Sequence, residues 1–364
     1  MSTSPAGLEL RPLHIPASID DPDAADFREM VRVRNIVYAQ ISGNDDDSMT
    51  AAEILPAYAP TPTERRLVWI AVLDGAVVGR AGLDVPLEEG SRVAFFLIEL
   101  LSEVRGRGIG SAAYALVERT ARENGRSVLQ SWAEHPAADG PRLEPPTGFG
   151  SIPEDHAARF YLRHGYALEQ VERHSVLDVA AGGAPARIDA LLEEAVAASS
   201  GYRVVQWQLP TPPEFVDGYA WMKSRMVTDA PAAALEFDEE TWDEARLRRH
   251  EKVYLDAGRT MLVTAAQHVD SGELVAFNEL VIGRDRTEAT HQEDTLVLKE
   301  HRGHRLGMLV KCAGLVAWRD IAPASARVHT YNAEENRPML DINETIGFAP
   351  VAYNGAWKKV LDVR

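Results

Sequence analysis

The stretch "EVRGRGIGSAAYALVER", residues 103–119, places Arg105, Gly106, Arg107, Gly108 and Gly110 within six positions and then turns into a regular apolar pattern. Upstream, "VAFFLIELLSEV" (93–104) is rich in β-branched, aromatic and other apolar residues. Downstream, Ile109, Ala112, Ala113, Leu116, Val117, Thr120 and Ala121 recur at helical spacing. The unit is therefore strand, glycine loop, helix. Glycines in such a loop let backbone N–H groups come close to a ligand, and the helix N-terminus adds partial positive charge. With two arginines beside it, the loop suits a phosphate or pyrophosphate. It is not a Walker loop, because no lysine separates Gly110 from Ser111. Nor is it a dinucleotide fingerprint, because Gly106, Gly108 and Gly110 are evenly spaced and Ser111 stands where the third glycine belongs.

Composition narrows the partner. The chain has 364 residues, 45% of them hydrophobic and 26% charged, a length that suggests two domains. A formal net charge of −17 argues against nucleic acid and favours a cationic or small polar ligand. A single cysteine, Cys312, excludes an intrachain disulfide and a thiolate zinc site. His301 and His304 form an HxxH, but Gly303 and the loop context argue against a helical metal site, so no metal is expected. No apolar run reaches the roughly 18 residues of a membrane helix, and "MSTSPAGLELRP" has no signal-like stretch, so a cytoplasmic location without membrane contact is expected.

The loop resembles the acetyl-CoA pyrophosphate motif Q/R-x-x-G-x-G/A of the GCN5-related N-acetyltransferase (GNAT) superfamily, with Arg105, Gly108 and Gly110 on its fixed positions. A second stretch, "AARFYLRHGYALEQVERHSVLDV" (157–179), is similar to the later motif of that family: a helix carrying Phe-Tyr, a glycine, then a strand. In the resemblance Tyr161 is the general acid that protonates the departing CoA thiolate.

Both motifs recur. "EHRGHRLGMLVKCAGLVAW" (300–318) puts Arg302 and Gly307 197 positions after Arg105 and Gly110, and Gly347 lies 182 positions after Gly165. The first half carries the longer loop, "HPAADGPRLEPPTGFGSIP" (135–153), between its motifs. The resemblance implies an α/β chain with a mixed sheet in each of two tandem GNAT folds, an arrangement similar to that of mycothiol synthase. The expected domains are 1–180 and 201–364, with 181–200 as connector. Within the first half, strands are expected at 8–13, 66–73, 76–84, 92–102, 127–133 and 171–179, and helices at 24–40, 49–58, 109–124 and 154–163.

For acetyl-CoA the resemblance implies contacts from Leu100, Ser102, Val104, Arg105, Gly106, Arg107, Gly108, Ile109, Gly110 and Ser111. In the second half it implies Arg302, Gly303, His304, Arg305, Leu306, Gly307 and Met308, with Asn336 and Asn343 beyond. The halves are not equivalent: Arg305 replaces Gly108, where its side chain would obstruct or contact a pyrophosphate, and Asn343, no proton donor to a thiolate, replaces Tyr161. The first half is therefore favoured as the catalytic one. Glu99 and Glu134 are candidate bases there; Asp294, Glu334 and Glu335 are candidates in the second half, with Asn332 a further hydrogen-bonding group. Asp45, Asp46 and Asp47, between the first two helices, are placed to attract a cationic amine. The expected activity is direct acetyl transfer from acetyl-CoA to a primary amine of a small metabolite. The alternatives are a non-catalytic acyl-CoA-binding protein and a peptide acetyltransferase.

Overall fold

A computed structural model describes residues 5–229 and 231–362. In chain order the first half runs β1 (Leu8–Pro12), α1 (Ala25–Ser42), α2 (Ala51–Ile54), β2 (Glu64–Leu73), β3 (Ala76–Pro86), β4 (Val93–Leu100), α3 (Ile109–Glu123) and β5 (Val128–His135). It continues with the short β6 (Arg142–Leu143) and β7 (Ile152–Pro153), then α4 (His156–Arg163) and β8 (Ala167–Asp178). The second half has α5 (Ala184–Ala198), β9 (Tyr202–Gln208), α6 (Pro213–Asp229), α7 (Glu244–Asp256), β10 (Thr260–His268), β11 (Leu274–Ile282), β12 (Thr290–Val297), α8 (Leu306–Ile321), β13 (Arg327–Ala333), α9 (Arg337–Ile346) and β14 (Ala349–Val360).

Two compact units result, and they do not follow chain order. The first comprises residues 1–171, 233–238 and 352–364; the second comprises 172–232 and 239–351. In the first unit β1 to β4 run antiparallel in sequence, and β4 then pairs parallel with β5. The next strand is β14 from the far end of the chain, antiparallel to β5 from Tyr353↔His135 to Val360↔Val128. The second unit repeats the plan with β9 to β13, and its last place is taken by residues 172–178 of β8, antiparallel to β13. Each half thus gives its closing strand to the other unit. This differs from the expected division at 180, since each terminal strand is held by a ladder with a remote partner.

The expected connector at 181–200 is largely α5. Its Ile188, Leu191 and Ala195 belong to the second unit's core with Phe277, Leu280 and Leu315. The helix expected over 49–58 is α2 followed by a 3₁₀ turn at Leu55–Tyr58, where Pro56 interrupts helical bonding. The long loop at 135–153 carries the hairpin β6–β7. In the first unit α1 packs Phe27, Met30 and Val33 on Ile70 and Val72. The opposite face of the sheet packs α3 and α4 through Tyr114, Val117 and Tyr161 against Phe96 and Trp357.

The strand pairing also creates the opening. β4 meets β5 only over Val93↔Val128 to Phe95↔Gln130, after which the strands diverge towards their C-terminal ends. Side chains alternate across a strand. Phe95, Leu97 and Glu99 on one arm and Gln130, Trp132 and Glu134 on the other therefore share the α1 face, whereas Phe96 and Ser131 face α3 and α4.

Candidate functional site

At the end of β4 the chain makes one tight turn. Leu101 N–H donates to Val78 O (3.0 Å) and Ser102 N–H to Gln40 Oε1 (3.0 Å). Gly106 (φ +74°) and Gly108 (φ +84°) take left-handed backbone, which glycine adopts without steric cost. The first bond of α3 runs from Ala112 N–H to Gly108 O (3.0 Å). The N–H groups of Ile109, Gly110 and Ser111 in its first turn have no carbonyl one turn back, as at any helix start. Val104 and Ile109 are buried, so their side chains anchor the loop. A Cβ on Gly110 would lie 3.3 Å from Phe160 Cε2, so α4 packs tightly on this turn. Ser111 Oγ is bonded to His164 Nε2 at 3.2 Å.

The second unit builds the same loop. Gly303 (φ +90°) and Arg305 (φ +54°) take the places of Gly106 and Gly108, and α8 starts with Leu309 N–H donating to Arg305 O (3.0 Å). Gly307 is closely packed: a Cβ there would lie 2.8 Å from Ile342 Cδ1. Leu306 and Met308 are buried like Ile109. Arg302 Nε donates to Val297 O (3.2 Å), and the His304 ring lies 5.3 Å from that of Tyr202. The Arg305 guanidinium pairs with Glu194 on α5 at 3.0 Å. The backbone of the second loop thus keeps the left-handed turn of the first, with the Arg305 side chain paired to Glu194.

The candidate catalytic residues lie on both sides of the opening between β4 and β5. Tyr161 is buried on the α4 side. Its hydroxyl is 2.7 Å from Ser131 Oγ, and its ring stacks on Trp357 of β14 at 4.9 Å and 9°. Burial pushes this phenol up to about 12, so it holds its proton at neutral pH. Glu99 and Glu134 are on the other face. Glu99 accepts two bonds from Arg80, at 2.6 Å from Nε and 3.0 Å from Nη2, and Arg80 also donates to Tyr58 OH (2.8 Å). The charge of Glu99 raises Tyr38 to about 12. Glu134 sits opposite Asn354 in the β5–β14 ladder. Asp45, Asp46 and Asp47 form a turn after α1: Asp46 N–H bonds Asn44 Oδ1 (2.9 Å) and Arg34 donates to Asp47 O.

In the second unit Asn343 is buried and doubly bonded, accepting from Lys311 Nζ (2.8 Å) and donating to Asn332 Oδ1 (2.7 Å). Asn336 caps α9 through its carbonyl, which accepts from Leu340 N–H (3.0 Å). Glu334 accepts two bonds from Arg173, at 2.7 and 3.0 Å. Sequence reasoning missed Lys311, which is fully buried and which burial pulls down to about 7. It also missed the cluster in which Lys223 bonds Glu279 (3.0 Å) and Asp294 (2.5 Å) while Tyr219 donates to Glu279. Burial raises Glu279 to about 7. Two residues of β12, Glu293 and Asp294, oppose Glu279 alone, so this cluster sits at a bulge. The available signal was a lysine on the apolar side of α6, beside Tyr219, Ala220 and Met222. Among the described residues no group of three or more His, Cys, Asp or Glu is placed to hold a metal ion.

Residues 32–139 match the model of the Acetyltransferase (GNAT) family. Among solved structures the chain is similar to a tandem GNAT protein from the clavulanic acid biosynthesis pathway, with a TM-score of 0.72 and 24% identity over 98% of this chain and 99% of that one. It is also similar to a GCN5-related N-acetyltransferase from Sphaerobacter thermophilus, with a TM-score of 0.62 and 15% identity over 98% and 97% of the two chains. No curated relative matches.

Proposed function

From a GNAT-family acetyltransferase domain at residues 32–139 set within a tandem GNAT fold, we propose that the chain is an acetyl-CoA-dependent N-acetyltransferase acting on a primary amine of a small metabolite. The reaction is placed in the first unit and in the cytoplasm. Among the described residues no helix is long and apolar enough to cross a membrane.

The observation that carries this reading is the glycine turn opening α3 beside strands that part. The first-turn N–H groups of Ile109, Gly110 and Ser111 would hold the pyrophosphate, with Arg105 and Arg107 adding charge. Bound acetyl-CoA supplies the activated thioester. Tyr161 gives its proton to the leaving sulfur from the α4 side. Glu134, on the opposite face, takes the proton of the attacking amine directly or through a water. Glu99, which accepts two bonds from Arg80, attracts the ammonium form towards the opening, as Asp45, Asp46 and Asp47 do from the α1 end. The amine nitrogen bonds to the carbonyl carbon as the carbon–sulfur bond breaks, within one ternary complex.

The second loop is proposed as a further acetyl-CoA site, with Gly303 and Gly307 shaping it and Arg305 turned aside. Asn343 in the place of Tyr161 favours binding without turnover in that unit.

Thiol release from acetyl-CoA with a panel of amines tests the activity. Tyr161→Phe keeps the ring stacked on Trp357 and removes the proton. It is expected to lower kcat by roughly 10²- to 10⁴-fold with acetyl-CoA affinity within about twofold of wild type. An unchanged kcat would remove Tyr161 from the mechanism.

A further inference from the structure

Residues 233–238 lie in the chain between α6 and α7, yet they fold with the first unit. They are tied down there by buried and charged groups. Gln130, fully buried on β5, donates Nε2 to Glu236 O (2.8 Å) and accepts from Glu236 N–H (2.7 Å). The Glu236 carboxylate receives Arg92 at 2.8 and 2.7 Å and Lys358 at 2.7 Å, and Lys358 also donates to Ala234 O (2.6 Å). A segment that only joined two helices would need none of these bonds.

What the anchorage delivers is Phe237. Its ring stacks on Phe95 at 6.0 Å and 21° and lies 6.2 Å from Trp132, while Phe95 and Trp132 are 6.0 Å apart. Phe237 remains 42% exposed. Phe95 occupies the last paired position before β4 and β5 diverge, and Trp132 lies on the β5 arm. Both are on the face that carries Glu99 and Glu134. An aromatic wall therefore stands at the closed end of the opening, and carboxylates stand along its arms.

We infer that Phe237 is a specificity-determining residue of the first unit's acceptor site, lent by the second half of the chain, and that with Phe95 and Trp132 it selects amines bearing a flat apolar group. This rests on acyl transfer in the first unit. A ring laid on this wall gains stacking and apolar contact. The hydroxyls of an amino sugar in the same place would lose water without gaining partners.

The test uses 2-phenylethylamine and glucosamine as probes, with thiol release for turnover and calorimetry for binding to the CoA-saturated protein. Wild type is expected to prefer 2-phenylethylamine. Phe237→Ala should raise its KM and Kd about tenfold, the size of one stacked aromatic contact, and leave kcat and the KM for acetyl-CoA within about twofold. Glu236→Ala, which removes the Arg92 and Lys358 bonds to the carboxylate but keeps the ring and the backbone bonds to Gln130, should act in the same direction and more weakly. The inference is overturned if Phe237→Ala leaves 2-phenylethylamine unaffected, or if wild type binds neither amine or prefers glucosamine. Phe237-dependent binding without thiol release would uphold this assignment and reject amine acetylation; thiol release with glucosamine alone would do the reverse.

Discussion

Lys311 is an amine enclosed in the second unit's core, with Asn343 as its hydrogen-bond acceptor at 2.8 Å. Unfolded, such a lysine keeps its proton to about pH 10.5; in the folded chain burial releases it near 7. Between these values the unfolded state binds more protons, so stability rises with pH, with a slope approaching ~1.4 kcal/mol per unit. Below pH 7 both states are charged and the full burial penalty applies. Lys311→Met is expected to be more stable than wild type at pH 7 and to lose this slope. Thermal unfolding of both proteins from pH 6.5 to 9.5 checks it, and parallel curves would show that Lys311 is not enclosed. Nothing in "GMLVKCAGLVAW" announces that enclosure, because a lysine within a helix reads as a solvated position. Tyr161, by contrast, was legible because the Phe-Tyr pair and Gly165 mark its helix end.

At the scale of the element, the two glycine loops show how local sequence sets backbone shape. Gly108 and Arg305 hold the same left-handed position before their helices, at φ +84° and +54°. Arg305 does so against the usual side-chain penalty, with its guanidinium paired to Glu194. Gly108→Asp adds both that penalty and a carboxylate at the proposed pyrophosphate site. It is expected to lower acetyl-CoA affinity in the first unit by at least about tenfold with the fold intact. Calorimetry showing unchanged stoichiometry and affinity would reject the assignment of this loop. Strands and helices of this kind were readable to within a few residues, because period-two and helical apolar patterns are local. Arg305's direction was not readable, since Glu194 lies on a helix far back in the chain. The clamp of Glu99 by Arg80 was equally hidden, as it depends on the register of β3 and β4.

For the whole molecule, the duplication is visible in the spacing of its motifs, but the exchange of closing strands is not. β8 and β14 each read as the natural end of their own half. Which sheet a strand joins depends on contacts that no window of sequence contains. The exchange makes the first half dependent on residues 352–360. Trp357 is fully buried against Tyr161, and loss of a buried tryptophan alone costs about 3–5 kcal/mol. Residues 1–180 expressed alone are therefore expected to lack cooperative unfolding, and addition of a peptide of residues 349–362 should restore it. A sharp melting transition for 1–180 alone would show that β14 is dispensable. A wall for the first unit is likewise not readable in "PAAALEFDEE", because the side chains that hold it are remote: Arg92 lies 144 residues and Gln130 106 residues before Glu236, and Lys358 lies 124 residues after Ala234.

The exchanged strands also set an order of events during synthesis. β5 leaves the ribosome early, but the strand that covers its free edge is made only after α9. Until then β5 presents unpaired backbone groups and the surface meant for Trp357 is open to solvent. A nascent chain in this state is exposed to edge-to-edge pairing with its neighbours. The half translated first is the half completed last, so the period of greatest vulnerability to aggregation runs from the end of β5 at His135 to the end of β14 at Val360, more than half of translation.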